Sequence, residues 1–159
     1  MLNDYSERKM KTHYVHKYQG FTLVEMVVVL VVISAIAIVA YPRITDSYNK
    51  KQQTEITQDI QMLYTGANQF RGQRPVFTGV SCNALVTDEY ITVSWANCTG
   101  VNPVDGNYVV SANSADPNNV DIQVTGLDGP MCNRLARTLS TQAEASACSG
   151  GTLTVTFDA

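Results

Sequence analysis

Histidine is almost absent from this chain. Both histidines, His13 and His16, lie within the first twenty residues, and residues 21–159 contain none. That longer part therefore lacks the base of a Ser-His or Cys-His nucleophile and any histidine ligand for a metal. The sequence also has no glycine loop of the kind that cradles phosphates. These absences predict a protein without catalytic residues, without a cofactor and without a metal site.

Basic residues are scarce beyond the first twenty positions. That first segment has four basic and two acidic residues, a net charge of +2, and the remainder has seven basic and twelve acidic residues, a net charge of −5. An acidic surface lacks the basic stripe that nucleic-acid phosphates require, so no specific nucleic-acid partner is predicted. A basic flank before an apolar span is typical of the cytoplasmic side, which places the following residues on the opposite side of the membrane.

One long apolar run dominates the sequence. Twenty residues, from Phe21 to Ala40, include Glu25 as the only charged side chain. As a helix this run would reach about 30 Å, the thickness of a bilayer core. An acidic side chain at the centre of such a helix costs roughly 2.5–3.5 kcal/mol. We therefore expect Glu25 to lie near one end of the span or to have a cationic partner.

The helical pattern continues beyond the apolar run. Pro42 should kink or loosen the helix, because it removes one backbone hydrogen bond and clashes with the preceding turn. Apolar residues then recur with helical spacing along one face. They are Ile56, Ile60, Leu63, Ala67 and Phe70. The simplest interpretation is one helix over residues 21–71, ended by Gly72 and Pro75.

Residues 72–159 predict a small head with a β-sheet. Runs rich in β-formers are expected to be strands, and Pro130 begins a short helical pattern. The expected strands are Tyr90–Val93, Tyr108–Ser111, Val120–Val124 and Thr152–Phe157. The predicted fold class is α+β, with the long amino-terminal helix packed against a small antiparallel sheet. The expected segments are a leader (1–20), a membrane-spanning half-helix (21–40), an amphipathic half-helix (41–71) and the head (72–159).

The four cysteines all follow the apolar run, and their spacing suits two disulfide loops. Each successive pair, Cys82 with Cys98 and Cys132 with Cys148, encloses fifteen residues. Four cysteines allow three pairings, of which we favour the nearest-neighbour one. Such loops each contribute roughly 3 kcal/mol in the chain-entropy model. A zinc site is the alternative, but the closely spaced cysteine pairs typical of such sites are absent.

Several weaker patterns have simpler explanations. The acidic stretch from Asp116 to Asp121 could bind calcium, yet it lacks EF-hand spacing and is more typical of a turn. Asn97-Cys98-Thr99 fits a glycosylation triplet, although its cysteine is expected to be bridged. Ala35-Ile36-Ala37 could end a secretory signal, but Glu25 then interrupts its apolar core. Tyr90, Trp95 and Tyr108 are aromatic residues for which core packing is favoured over a binding face.

The stretch Gly20-Phe21-Thr22-Leu23-Val24-Glu25, after a basic leader and before an apolar helix with Pro42, resembles the amino terminus of type IV pilins and of type II secretion pseudopilins. The resemblance covers about residues 15–45. It implies that a prepilin peptidase cuts between Gly20 and Phe21 and methylates the new amino group of Phe21. It also implies that Glu25 and Phe21 act in filament assembly, where the amino group of one subunit offsets the carboxylate of another.

Partners and location also follow from this resemblance. The expected partners are other copies in a helical filament, a prepilin peptidase, and an assembly ATPase with its platform protein. The precursor is expected in the bacterial inner membrane with a periplasmic head, and the assembled pilus outside the cell. The leader is longer than is typical of the short-leader pilin subclass, whereas phenylalanine as the first mature residue is usual in that same subclass. The subclass therefore stays open. A pseudopilin remains an alternative, as does a monomeric, membrane-tethered binding module that retains residues 1–20.

Overall fold

The computed structural model describes residues 20–72, 74–93, 95 and 97–158 of the chain. Except for Gly20, the expected leader lies outside the described residues. The chain divides into two compact units, Met1–Tyr41 and Pro42–Ala159. One helix, α1 (Leu23–Arg71), runs through the boundary without interruption in its assignment. The amphipathic half of α1 is thus part of the same unit as the sheet.

The described fold has three helices and one sheet. After α1 come α2 (Cys82–Thr87), β1 (Tyr108–Ala112), β2 (Val120–Val124), α3 (Gly129–Leu139), β3 (Ala145–Ser149) and β4 (Thr152–Phe157). The four strands form one antiparallel sheet in the order β1-β2-β4-β3. Strands β1 and β3 are therefore its two edges. The predicted α+β layout, a long helix with a small antiparallel sheet, is confirmed.

The second half of α1 is amphipathic, as its spacing predicted. The five apolar residues of the predicted stripe are all buried, together with Gln52 and Gly66. They join one core with the inward side chains of the sheet. Tyr64 links this helix to the last strand, because its ring stacks on Phe157 at 4.4 Å between centroids and its hydroxyl donates to the Asp158 carbonyl. Burial of this stripe fixes the helix against the sheet.

The sheet shows the alternation expected of strands with one covered face. In β2 and β4, buried residues alternate with partly exposed ones. Val120 pairs with Phe157, and Val124 pairs with Leu153. This register places the apolar side chains of both strands on the core face.

The two short helices have local start signals. The Ser81 hydroxyl accepts from the Ala84 backbone N–H at the start of α2. At the start of α3 the Asp128 carboxylate accepts from the Met131 N–H, and Pro130 occupies the first turn. Side-chain caps of this kind satisfy backbone donors that have no partner within the helix. The helix predicted after Pro130 is confirmed, and Cys132 lies in it.

The prediction of a strand over Tyr90–Val93 is wrong. This segment is a series of bends, and the N–H groups of Tyr90 and Ile91 both donate to the Leu85 carbonyl at the end of α2. These two N–H groups therefore bond to the end of α2 and do not pair with a neighbouring strand. The strand that completes the sheet in place of this segment is β3. Its small Ala and Ser residues have low β-propensity, and pairing with β4 holds them in the sheet.

Candidate processing and assembly site

The residues singled out by the sequence lie together at the beginning of α1. Helix α1 starts at Leu23, two residues later than predicted, so Thr22 is the residue that precedes it. The Thr22 hydroxyl accepts from the Glu25 backbone N–H at 3.2 Å. In return, Glu25 Oε2 accepts from the Thr22 backbone N–H and from the Thr22 hydroxyl, each at 3.0 Å. This reciprocal pattern is a capping box.

The capping box explains how a carboxylate is tolerated at this point. It satisfies backbone donors that the first helical turn leaves without partners. A negative charge in the first turn also interacts favourably with the positive end of the helix macrodipole. Glu25 is therefore held at the helix end by Thr22, and both recorded bonds are to the same carboxylate oxygen, Oε2.

The Gly20–Phe21 peptide bond is open to solvent. Among the described residues, no atom apart from those of its chain neighbour lies within 4 Å of the position that a Cβ on Gly20 would occupy, and the Phe21 side chain is 75% exposed. Gly20, Phe21, Thr22 and Glu25 together line an open cavity of about 500 Å³. The residues predicted for cleavage and for assembly are thus neighbours on one accessible surface.

The apolar part of α1 is exposed on every side. All residues from Phe21 to Val39 are exposed, and Ala40 is intermediate. Among the described residues, α1 is the one helix long and apolar enough to cross a membrane, and the apolar window that qualifies is not buried at all. Exposed Leu, Val and Ile side chains around the whole helix need lipid or another apolar surface to cover them.

Pro42 lies inside α1, two residues after the apolar run ends. The helix continues through it, and the Thr45 hydroxyl donates to the Pro42 carbonyl at 2.9 Å. Proline provides no backbone donor for the carbonyl four residues earlier, so one helical hydrogen bond is missing here. The kink predicted at Pro42 remains a prediction.

Both disulfides have the nearest-neighbour pairing favoured by the sequence. Cys82 is bonded to Cys98, and Cys132 is bonded to Cys148. The first bond ties α2 to the segment before β1, and the second ties α3 to β3. Among the described residues no three cysteine, histidine or acidic side chains form a group that could hold a metal ion.

The aromatic residues Trp95 and Tyr108 form part of the core, as favoured, and not an open binding face. Tyr108 is 2% exposed, and its ring stacks on Trp95 at 4.9 Å between centroids. Its hydroxyl donates to Asp59 Oδ2 at 2.6 Å. Burial raises the pKa of the Asp59 carboxyl, although the hydrogen bond from Tyr108 opposes this shift. Burial also raises the pKa of the Tyr108 phenol, and the bond to Asp59 acts in the same direction.

The acidic stretch that includes Asp116 and Asp121 is a hydrogen-bonded turn followed by a strand. Asp116 Oδ1 accepts from the backbone and side chain of Asn118. The Asp121 carboxylate accepts from the Asn113 amide and from the Thr156 hydroxyl. The carboxylates are thus occupied within the fold, which favours the turn interpretation.

Thr22 is the residue that the sequence predictions missed. Its signal is the pattern Thr-x-x-Glu at the beginning of the apolar run, which is the sequence signature of a capping box. Thr22 is thus a partner of Glu25 within the same chain, three residues before it.

The comparison with known protein families matches this segment. Residues 15–41 match the family model described as the prokaryotic N-terminal methylation motif, which covers about a sixth of the chain. No curated protein and no solved structure matches the chain. The matched residues include Gly20, Phe21 and Glu25 and end one residue before Pro42. The amino-terminal segment of this chain therefore carries the signature of type IV pilins and prepilins.

Proposed function

We propose that this chain is the precursor of a structural subunit of a type IV pilus-like filament. The observation that carries the proposal is one acidic side chain, Glu25, at the start of a helix whose apolar side chains are exposed all around as far as Val39. The methylation motif over residues 15–41 supports a precursor of the pilin or pseudopilin kind. Residues 1–20 would be the leader, and residues 72–159 the head.

Processing would occur between Gly20 and Phe21. A prepilin peptidase needs access to that peptide bond, and Gly20 is exposed, with no described residue beyond its chain neighbour packed on its side-chain side. The cut would release a new α-amino group on Phe21, which the same peptidase would methylate. The amino group remains cationic after methylation, so it can still pair with a carboxylate.

Assembly would depend on the charges at this end of α1. A cation at a helix amino terminus meets the positive end of the macrodipole, so a nearby carboxylate stabilises it. Glu25 Oε2 is used by Thr22, while Oε1 has no recorded partner in the part of the chain that the structure describes. Oε1 could accept from the Phe21 ammonium of an adjacent subunit, an attraction strengthened by low dielectric.

The rest of the apolar helix would supply the main driving contact. Lipid covers its side chains before assembly, and the same helix from other copies would cover them in a filament. Identical subunits make a fibre when the contact is heterologous and does not close into a ring. An assembly ATPase and its platform protein would drive the transfer from the inner membrane.

The mass of the amino-terminal peptide, measured on protein from membranes of the native host, tests this proposal. We expect a peptide that begins at Phe21 and carries one added methyl group. A chain that keeps residues 1–20 would contradict it and would support a monomeric membrane tether.

Electron microscopy with an antibody to the head separates the two assembled forms. Labelled surface filaments at normal expression support a pilus subunit. A processed and methylated chain that stays inside the cell envelope would instead identify a pseudopilin.

A further inference from the structure

Both outer strands of the sheet lack the residues that usually prevent further pairing. In the order β1-β2-β4-β3, the outer strands are β1 and β3. Proteins commonly protect such edges with charged residues, prolines or bulges, because unpaired backbone groups can pair with another chain. Neither strand contains a charged residue or a proline, and each keeps an unbroken register with its neighbour. Both edges are therefore suited to pairing with a further strand.

On β1, the outward backbone groups belong to Val110 and Ala112. Just after this strand, the Asn113 N–H donates to the Asn119 carbonyl in the same register as the strand pairs. Hydrogen-bonded and non-hydrogen-bonded pairs alternate along an antiparallel ladder, so the N–H and C=O groups of Val110 and Ala112 point away from β2. Within the described residues these groups have no hydrogen-bond partner. At the first position, Tyr108, the N–H donates to a carbonyl of the preceding segment.

On β3, the corresponding groups belong to Ser146 and Cys148. The two-residue turn Gly150–Gly151 joins β3 to β4, and both glycines have positive φ, 55° and 78°. A hairpin turn of this kind makes the preceding residue, Ser149, part of a hydrogen-bonded pair with β4. Alternation then directs the N–H and C=O groups of Ser146 and Cys148 away from β4. No residue in the described part of the chain bonds to them.

The two edges match each other in direction and in hydrogen-bonding groups. Every neighbouring pair in this four-stranded sheet is antiparallel, so β1 and β3 run in opposite directions. A second copy that places its β1 beside β3 therefore continues the antiparallel order. In one register, Val110 pairs with Cys148 and Ala112 pairs with Ser146. That register joins all of the outward N–H and C=O groups of these four residues in hydrogen bonds.

The side chains permit this approach. In the same register, Val109 lies opposite Ser149, and Ser111 lies opposite Ala147. Val109 is 43% exposed, and Ala147 and Ser149 are small and exposed. The pairing therefore covers part of an exposed apolar side chain without bringing like charges or bulky groups together.

We propose that β1 of one copy pairs in this register with β3 of the next copy, so that the sheets of neighbouring heads join into one antiparallel sheet. The proposal rests on the proposed function of the chain as a filament subunit. The partner is a second copy because this chain supplies both edges, with matching groups and the required direction. The two edges are different surfaces at opposite ends of one sheet, so the contact is heterologous, as a fibre requires.

A cysteine pair in filaments sheared from the native host tests the contact and its register. The double variant Ser111→Cys/Ala147→Cys places two thiols at opposite positions of a non-hydrogen-bonded pair, where the Cα atoms lie about 4.5 Å apart. A disulfide needs a Cα separation of about 4.4–6.8 Å. After mild oxidation we expect a ladder of covalent oligomers on non-reducing gels. Each single variant should give no species larger than a dimer, and peptide mapping should find both native disulfides retained.

The matched control is Val109→Cys/Ala145→Cys, which uses the same two strands and exposed positions on both. In the proposed register these two positions are offset by four residues, about 13 Å along the strand, so no ladder is expected. Wild-type filaments together with no ladder from the test pair, or with an equal ladder from the control pair, would overturn the edge contact and leave the proposed function in place. Absence of filaments from the processed wild-type chain would refute the proposed function itself.

A proline at the β1 edge gives a second measurement, which decides if the cysteine variants do not assemble. Ala112→Pro removes one outward N–H and spares the ladder to β2, since proline is tolerated where the N–H of an edge strand faces outward. We expect the yield of sheared filaments to fall about tenfold, because every contact along the fibre loses a hydrogen bond. Ala112→Ser keeps the N–H and should assemble like wild type. Equal yields from the two variants would overturn the contact.

Discussion

At the scale of single residues, Thr22 and Glu25 show how a charge is accommodated at the end of a membrane helix. Each side chain accepts from the backbone of the other, so both belong to the helix start as well as to any assembly contact. The local role needs no second subunit. The two roles can be separated by changing Thr22, which leaves the carboxylate in place.

Replacing Thr22 with Val removes the capping hydroxyl and keeps the shape of the side chain. We expect the start of α1 to lose about 1 kcal/mol, the usual cost of losing a cap. Hydrogen exchange of the Glu25 amide in detergent micelles should then be about fivefold faster. Thr22→Ser keeps the hydroxyl and should exchange like wild type. An unchanged rate in Thr22→Val would show that the cap contributes nothing.

The buried Tyr108–Asp59 hydrogen bond makes stability depend on pH. Its loss in Tyr108→Phe leaves a half-buried carboxylate without this donor, and we expect a cost of about 1 kcal/mol at neutral pH. The raised pKa of Tyr108 means that the unfolded chain loses this proton first, at about pH 10. Wild-type stability should therefore fall as pH rises further, and this contribution is missing in Tyr108→Phe.

Urea unfolding of the full chain in detergent, followed by fluorescence of the single tryptophan, Trp95, measures both effects. The difference in the free energy of unfolding between wild type and Tyr108→Phe should become smaller from neutral pH to about pH 11. All other ionisable groups are the same in both proteins, so the comparison isolates Tyr108. A constant difference over this pH range would contradict the role of the Tyr108 hydroxyl in the pH dependence of stability.

At the scale of elements, α1 is one assigned helix with two different environments. Up to Val39 it is exposed on all sides, and from Gln52 one stripe is buried by the head. Close packing on that stripe explains why position 66 holds glycine, a poor helix former, inside this helix. A Cβ at Gly66 would lie 2.5 Å from Ile91 Cγ2 and 3.3 Å from the Tyr90 carbonyl oxygen.

Gly66→Ala should therefore destabilise the head, although alanine is the better helix residue by about 1 kcal/mol. Overpacking in a close-packed core costs about 1–3 kcal/mol, so we expect a net loss of about 1 kcal/mol. Urea unfolding measures it. The cost should shrink in the Ile91→Ala background, where the methyl group that clashes is absent. An equal cost in both backgrounds would refute the steric explanation.

At the scale of the whole molecule, the first half of α1 is uncovered, whereas the second half shares one core with the head, which also has two disulfides. The second half of α1 and the head bury their apolar residues against each other, and the apolar residues of the first half remain exposed. In the proposed filament, association would therefore depend on the first half of α1. The yield of filaments is therefore the quantity that tests the proposed role of this exposed half-helix.

Glu25→Ala should leave a chain that is exported, cleaved and held in the membrane but that assembles poorly. The reason is that the Phe21 ammonium of a neighbouring copy would lack its carboxylate partner in a medium of low dielectric. The measurement is the yield of sheared filaments, with a loss of tenfold or more expected, on the order of 1.4 kcal/mol per contact. Ser34→Ala, which removes another polar group from the apolar helix, is the control. Normal filaments from Glu25→Ala would exclude this role for the carboxylate.

The sequence by itself determined the long helix, the apolar span, the buried stripe from Ile56 to Phe70 and the methylation motif. The helix, the span and the stripe follow from composition and periodicity, which need no knowledge of distant residues. The methylation motif follows from resemblance to a known family. Even the capping box of Thr22 and Glu25 is readable from four consecutive positions. The favoured disulfide pairing also came from spacing, although three pairings were possible.

Only the tertiary structure decided which segments complete the sheet and which surfaces face outward. Tyr90–Val93 has the residues of a strand, yet its backbone closes α2 and its side chains pack near Gly66. Ala145–Ser149 has weak β-propensity, yet β4 recruits it as an edge. Pairing and packing depend on partners that lie far away in sequence, and for this reason the edge strand β3 and the bend over Tyr90–Val93 appear only once the chain is folded.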